Sequence, residues 1–352
     1  MSEVSTRLPP PPPSPVGPGR KRKRSNLVVL NFLDGLTYVS TLGGALLMFV
    51  LLGVLAAAVF MGALPSIREF GLGFLTTTVW NPVTEKFGAL PVIYGTLATS
   101  VVALLISVPI SMGSAIFLVK LAPKIKIPLP SRSGHFTFYS PRGLVTFTSF
   151  LIELLAAIPS IAYGLWGVAV LLPFMQMNVQ PWAGNTLGRI PWVGGLFMNP
   201  GPGSNVFTAS VVLSIMVTPI MTAIIRDVLT VAPPELEQGA LGLGATWWQA
   251  MRLILGYSRL GILGAVILGF ARAIGETMAV TMVIGGSMHI NKSLFEPGQT
   301  IASLLANQFA EADTPEYTSA LVYAAFVLLV ITTLINGVAR VMVMRVTMGK
   351  RK

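Results

Sequence analysis

The sequence predicts an all-α, polytopic membrane protein with six transmembrane helices. Three observations predict it. The 352-residue chain is 53% hydrophobic and 11% charged, with a mean hydropathy of +0.74, whereas an average soluble domain carries about 25% charged residues. Several charge-free stretches exceed the roughly 20 residues that a helix needs to cross a bilayer. Lys and Arg gather in alternate connections, the asymmetry that orients a multi-span chain. The absence of cysteine excludes disulfides and thiolate metal sites and leaves the redox compartment open. With only His135 and His289, no metal centre is expected.

Residues 1–40 read as a cytoplasmic tail that is disordered, proline-rich and basic. A proline tract precedes the basic run at 20–24, and polyproline stays extended and solvated. Beside a membrane helix, the basic run holds the N-terminus inside and touches anionic lipid rather than nucleic acid. The apolar run after it is too long for a signal peptide. A six-helix domain is expected over 41–345, followed by a short basic tail at 346–352.

The first helix is expected at about 41–64 and the second within 87–119, kinked at Pro109. The third is placed at about 144–174, broken by Pro159 and carrying Glu153 in an interfacial role. The fourth is expected from about Val206, with Pro219 near its inner end. The fifth is placed at about 260–285 and the last at about 318–339. With both termini cytoplasmic, nineteen of the 24 Lys and Arg fall inside, and Arg68, Lys86, Arg189 and Lys292 outside. The net charge of +11 is therefore mostly topology. Trp80, Trp182 and Trp192 fall outside, as an interfacial belt or a docking surface.

The fifth helix holds the most informative pair, Arg272 and Glu276, in the run GFARAIGETMAVTMVIGG. A charge at bilayer centre costs about 2.5–3.5 kcal/mol. Four residues apart on a helix, the two share a face and can neutralise each other. Such a pair serves either as glue between helices or as part of a solute path. Gly261, Gly264, Gly269 and Gly275 suit close helix packing.

The inner connection at 227–258 contains APPELEQGALGLGATWWQAMRLILGYSR. Pro233 and Pro234 suit a helix start, where Glu235 and Glu237 meet the positive end of its dipole. Gly242 and Gly244 break that helix, and Thr246 with Gln249 has capping-box spacing for a second one. Two short helices joined by glycines form either a compact knob or a re-entrant turn at the membrane surface.

At these residues the chain resembles a known family. QGALGLGAT (238–246) is similar to the EAA loop of type I ABC-importer permeases, and ARAIGETMAVTMVIG (271–285) to the fifth-helix signature of the PstC family of phosphate-importer permeases. The segments 70–100 and 151–167 agree with that family. The resemblance implies a subunit that translocates inorganic phosphate along a path through Arg272 and Glu276. It implies an ATPase-coupling loop built from Glu237, Gln238, Gly239, Ala240, Gly244 and Ala245. Its partners would be the second permease PstA, two copies of the ATP-binding subunit PstB and the extracytoplasmic phosphate-binding protein PstS, in the cytoplasmic membrane. Gln238 stands where that loop has glutamate, and Gly256-Tyr257 where it has Leu-Pro. The loop at 120–143 and the proline-rich tail are extra.

Arginine offers bidentate donors to phosphate without deprotonating, and a nearby glutamate can accept the P–OH hydrogen. No enzyme is expected. A P-loop needs Gly-Lys-Ser/Thr, and the one Gly-Lys here, Gly349-Lys350, is followed by arginine. No cofactor is expected on this chain; the resemblance implies that ATP is used by a partner ATPase. Two alternatives stay open: a permease for sulfate or molybdate, and a membrane scaffold without transport.

Overall fold

The computed structural model describes residues 24–122, 127–130, 136–139, 142–198 and 201–348. The proline tract and most of the basic run expected as tail lie outside them. Among the described residues, six helices are long and apolar enough to cross a membrane: Asp34–Leu75, Leu90–Leu121, Ser160–Arg189, Val206–Thr230, Trp247–Ile274 and Pro315–Val341. The all-α class and the number of spans agree with the expectation, while several boundaries do not.

Helix α1 (Arg24–Phe70) takes in residues 24–40 of the expected tail. NLVVLNFL continues the apolar run there without a proline, so nothing ends the helix before Arg24. The chain divides into one unit ending at Ala58 and another beginning at Val59. In the first, nearly all residues from Asp34 onward are exposed. The second carries the remaining elements.

A 3-10 turn (Gly71–Leu75) leads to a two-stranded hairpin, β1 (Trp80–Asn81) and β2 (Lys86–Phe87), with Trp80 opposite Phe87. Trp80 donates from Nε1 to Gln308 Oε1 at 2.9 Å and meets the Phe87 ring edge-on at 5.0 Å. Phe87 stacks on Tyr317 at 5.5 Å, and Phe74 on Tyr323 at 4.2 Å. Trp80 is therefore an internal anchor rather than part of an interfacial belt. Trp182 and Trp192 remain exposed.

Helix α2 (Leu90–Ile116) runs through Pro109 and continues as a π-helical turn, Phe117–Leu121. Strands β3 (Ile127–Pro130) and β4 (Phe136–Tyr139) pair antiparallel within the connection that follows α2. Helix α3 (Arg142–Ala157) is separate from the third span. Pro159 is extended at φ −58° and ψ 140°, so the helix restarts only at Ser160. The expected third helix at 144–174 is thus corrected, and Glu153 lies on α3, outside the span. Its Oε1 accepts from the Arg226 guanidinium at 3.2 Å.

The third span joins α4 (Ser160–Trp166), α5 (Leu172–Phe174) and α6 (Gln180–Thr186) through two π-helical turns, Gly167–Leu171 and Met175–Val179. Pro173 and Pro181 sit in the first turns after them. A proline lacks an N–H and crowds the carbonyl four residues back. The wider π turn accommodates both defects, so the span continues past 174 to Arg189.

Helix α7 (Val206–Thr230) is the most enclosed span and packs along α2 and α9. After α8 (Pro234–Gly242), helix α9 (Trp247–Ile274) runs without interruption from the 227–258 connection through the fifth candidate span. The second short helix expected there is its first turns. Then follow α10 (Met278–Val283), α11 (Ile301–Gln308) and α12 (Pro315–Met348). One buried cluster joins α2, α4, α7 and α10 around Leu213, Met216 and Ile284. A second gathers Phe74, Phe87, Leu304 and Tyr317, and a third joins α7 and α9 through Ile225, Met251 and Ile254.

Candidate functional site

The fifth span does not carry Arg272 and Glu276 on one continuous helix. Helix α9 stops at Ile274, and Gly275 closes it at φ −87° and ψ 0°. The Glu276 N–H donates to the Ala273 carbonyl at 3.4 Å, and a new helix starts only at Met278. Arg272 is exposed, whereas Glu276 is buried at 9% exposure. The Glu276 carboxylate accepts from the Ala279 N–H at 3.4 Å, one of the unsatisfied amides at the start of α10. No ion pair joins Arg272 to Glu276 among the described residues. The expectation of a neutralised pair on one helical face is corrected. The helix break turns the two side chains to different surroundings, one open and one enclosed.

The expected glycine packing holds at two of four positions. A methyl at Gly261 would meet Val228 at 2.5 Å, and one at Gly269 would meet Met221 at 2.6 Å. A methyl at Gly264 would meet nothing within 4 Å, and one at Gly275 would make an ordinary contact of 3.7 Å.

The segment after α10 is fixed by main-chain bonds. Gly285 and Gly286 have φ of +97° and +76°, a region that favours glycine. The Gly286 N–H donates to the Gly298 carbonyl at 2.9 Å, and the Gly298 N–H to that of Ile284 at 3.0 Å. Helix α2 lies against this segment. A methyl at Gly95 would collide with the Gln299 carbonyl, and Thr96 Oγ1 accepts from the Ile301 N–H at 3.0 Å. These residues had no place in the sequence reading. The signal available was TLATSVVALLISVPIS, with hydroxyls at Thr96, Thr99, Ser100, Ser107 and Ser111. All five are buried. Thr99 and Ser100 donate to carbonyls of their own helix, and Ser111 donates to the Thr218 carbonyl of α7 at 3.1 Å. Their role is therefore close packing of α2.

In the 227–258 connection, α8 begins at Pro234 with Glu235 and Glu237 in its first turn, and none of its residues is fully buried. Gly244 has φ +85°, and methyls built on Gly239, Gly242 or Gly244 would meet nothing within 4 Å. Thr246 and Gln249 form the expected capping box, with bonds of 3.4 and 2.7 Å. Gln238 and Gly239 are exposed, Ala240 and Ala245 half-buried. Leu243 is 91% and Trp248 69% exposed. Glu237 differs from its neighbours: its Oε2 lies 2.7 Å from Lys120 Nζ, with side-chain exposures of 15% and 13%. The knob is thus one short helix and the head of a long one, presenting small and apolar groups outward and folding one carboxylate inward.

Residues 126–348 match the family model of the binding-protein-dependent transport system inner membrane component. The phosphate transport system permease protein PstC of Mesorhizobium japonicum is 45% identical over 314 residues, covering 89% of this chain and 90% of that protein. PstC of Haemophilus influenzae is 42% identical over 310 residues, covering 88% and 92%. The probable PstC of Methanocaldococcus jannaschii is 34% identical over 305 residues. Identity at this level over nearly the full length shows the family: the chain belongs to the PstC family of binding-protein-dependent inner-membrane transport components.

Proposed function

We propose that this chain translocates inorganic phosphate across the cytoplasmic membrane as one permease subunit of an ATP-driven importer, with both termini inside. The observation that carries the reading is the exposed Arg272 in the last turn of a membrane-crossing helix. Facing lipid, that guanidinium would cost about 2.5–3.5 kcal/mol. A second permease of the PstA kind, covering this face across a polar path, relieves the cost and puts the cation where an anion passes. Arg272 offers paired N–H donors to phosphate oxygens. Glu276 acts behind it by holding the first turn of α10, which sets the shape of the break. ATP is hydrolysed on two copies of a PstB-type subunit docked at the exposed knob around Gln238, Gly239, Ala240, Gly244 and Ala245. A PstS-type protein delivers phosphate from outside.

The test is uptake of labelled phosphate by cells that depend on this chain, with sulfate and molybdate as competitors. Uptake that neither competitor lowers is expected. Competition by either would assign the path to another oxyanion, and no uptake would leave a scaffold.

A further inference from the structure

The Lys120–Glu237 pair joins elements that the chain separates by more than a hundred residues. Lys120 lies in the π-helical turn that ends the α2 span, and Glu237 in the first turn of α8. The contact is 2.7 Å, and both side chains are largely shielded. No residue of helix α8 is fully buried, and the link from it into α9 passes through Gly244 at φ +85°. Helix α8 packs against α9, and the Lys120 contact ties it to a second helix. At its other end, α2 is seated on the segment that follows the fifth-span break, through Gly95 against Gln299 and Thr96 on Ile301. A 27-residue helix is about 40 Å long, so α2 spans the distance from the knob to that segment as one rod.

We propose that the Lys120–Glu237 pair is a strut: it makes α8 and the inner end of α2 move as one body, so that movement of the knob reaches the break through α2 as well as through α9. Glu237 is thereby a positioning residue rather than a contact to the ATPase, and the outward contacts fall to its uncharged neighbours. The inference rests on the importer reading above.

The experiment uses the complete importer in proteoliposomes and measures phosphate moved per ATP hydrolysed. The unsubstituted complex is run alongside; if it moves no phosphate, the importer reading fails and the strut is not what failed. Lys120→Gln is expected to assemble and hydrolyse ATP while phosphate per ATP falls about tenfold, the size of an ordinary coupling between sites. Lys120→Arg should keep the ratio, and the exchange Lys120→Glu/Glu237→Lys should regain most of it. An unchanged ratio in Lys120→Gln overturns the strut. So does loss of the ATPase from Glu237→Gln but not from Lys120→Gln, which would make Glu237 a direct contact.

A second measurement does not depend on the ion pair. The chain has no cysteine, so Lys120→Cys/Glu237→Cys can be bridged cleanly by a bismaleimide. The unbridged double variant lacks the ion pair and should show the lowered phosphate per ATP; bridging it is expected to restore most of the ratio, because the two sites keep their separation through the cycle. A ratio that stays low or falls further on bridging overturns the proposal.

Discussion

Arg272 and Glu276 lie on opposite sides of a helix break, the arginine exposed at the end of α9 and the glutamate buried against the start of α10. Their effects on transport therefore separate. Hydrogen bonds to charged groups contribute about 1.5–3 kcal/mol each. Losing a bidentate contact in Arg272→Gln should lower phosphate transport about 100-fold or more, with assembly intact. Glu276→Gln keeps an acceptor for the Ala279 N–H and should cost much less. The double variant should match Arg272→Gln. Restored transport in the double variant, read by labelled phosphate in assembled complexes, would make the two residues mere glue.

Gly244 tests the knob. Its φ of +85° makes any side chain there strained by about 1–2 kcal/mol, although the space around it is open. Asparagine tolerates that backbone better than most residues. Gly244→Asp and Gly244→Asn should both lose the ATPase on co-purification, because the added atoms occupy the docking face. If Asn retained it and Asp did not, charge rather than close approach would be the cause.

Gly95 and Gly113 sit on the same helix and should respond in opposite directions. Gly95→Ala drives a methyl into the Gln299 carbonyl, and such overpacking costs about 1–3 kcal/mol. At Gly113 a methyl would meet nothing within 4 Å, so Gly113→Ala should gain about 0.5–1 kcal/mol from helix propensity. Thermal unfolding in detergent measures both; a Gly95→Ala protein as stable as the parent would refute the close seat of α2.

Orientation is read by reporters. A fusion after Lys352 or an insertion at Ser131 should report a cytoplasmic location, and an insertion at Asn199 the outside. Ser131 and Asn199 reporters on the same side would refute six spans with both termini inside.

The membrane class, the number of spans and the capping box at Thr246 were legible in the sequence, because hydropathy and capping are local properties of ten to twenty neighbouring residues. The fifth-span break was half legible. Gly275 and Glu276 stand out in the sequence, but periodicity treats 260–285 as one helix; in the fold the chain breaks there and α10 packs against α4 and α7. The third span was misplaced for the same kind of reason. Pro173 signals an end locally, while the π turns before it and before Pro181 let the backbone continue. Trp80 reads as a belt residue until Gln308, 228 positions later, supplies its acceptor. Glu237 shows the limit most sharply: the resemblance puts it in a loop that faces another subunit, yet its carboxylate meets Lys120, 117 residues away. A charge in sequence carries no address for its counter-ion; burial of both in a folded bundle decides which pair forms, since a shielded charge is stable only when matched.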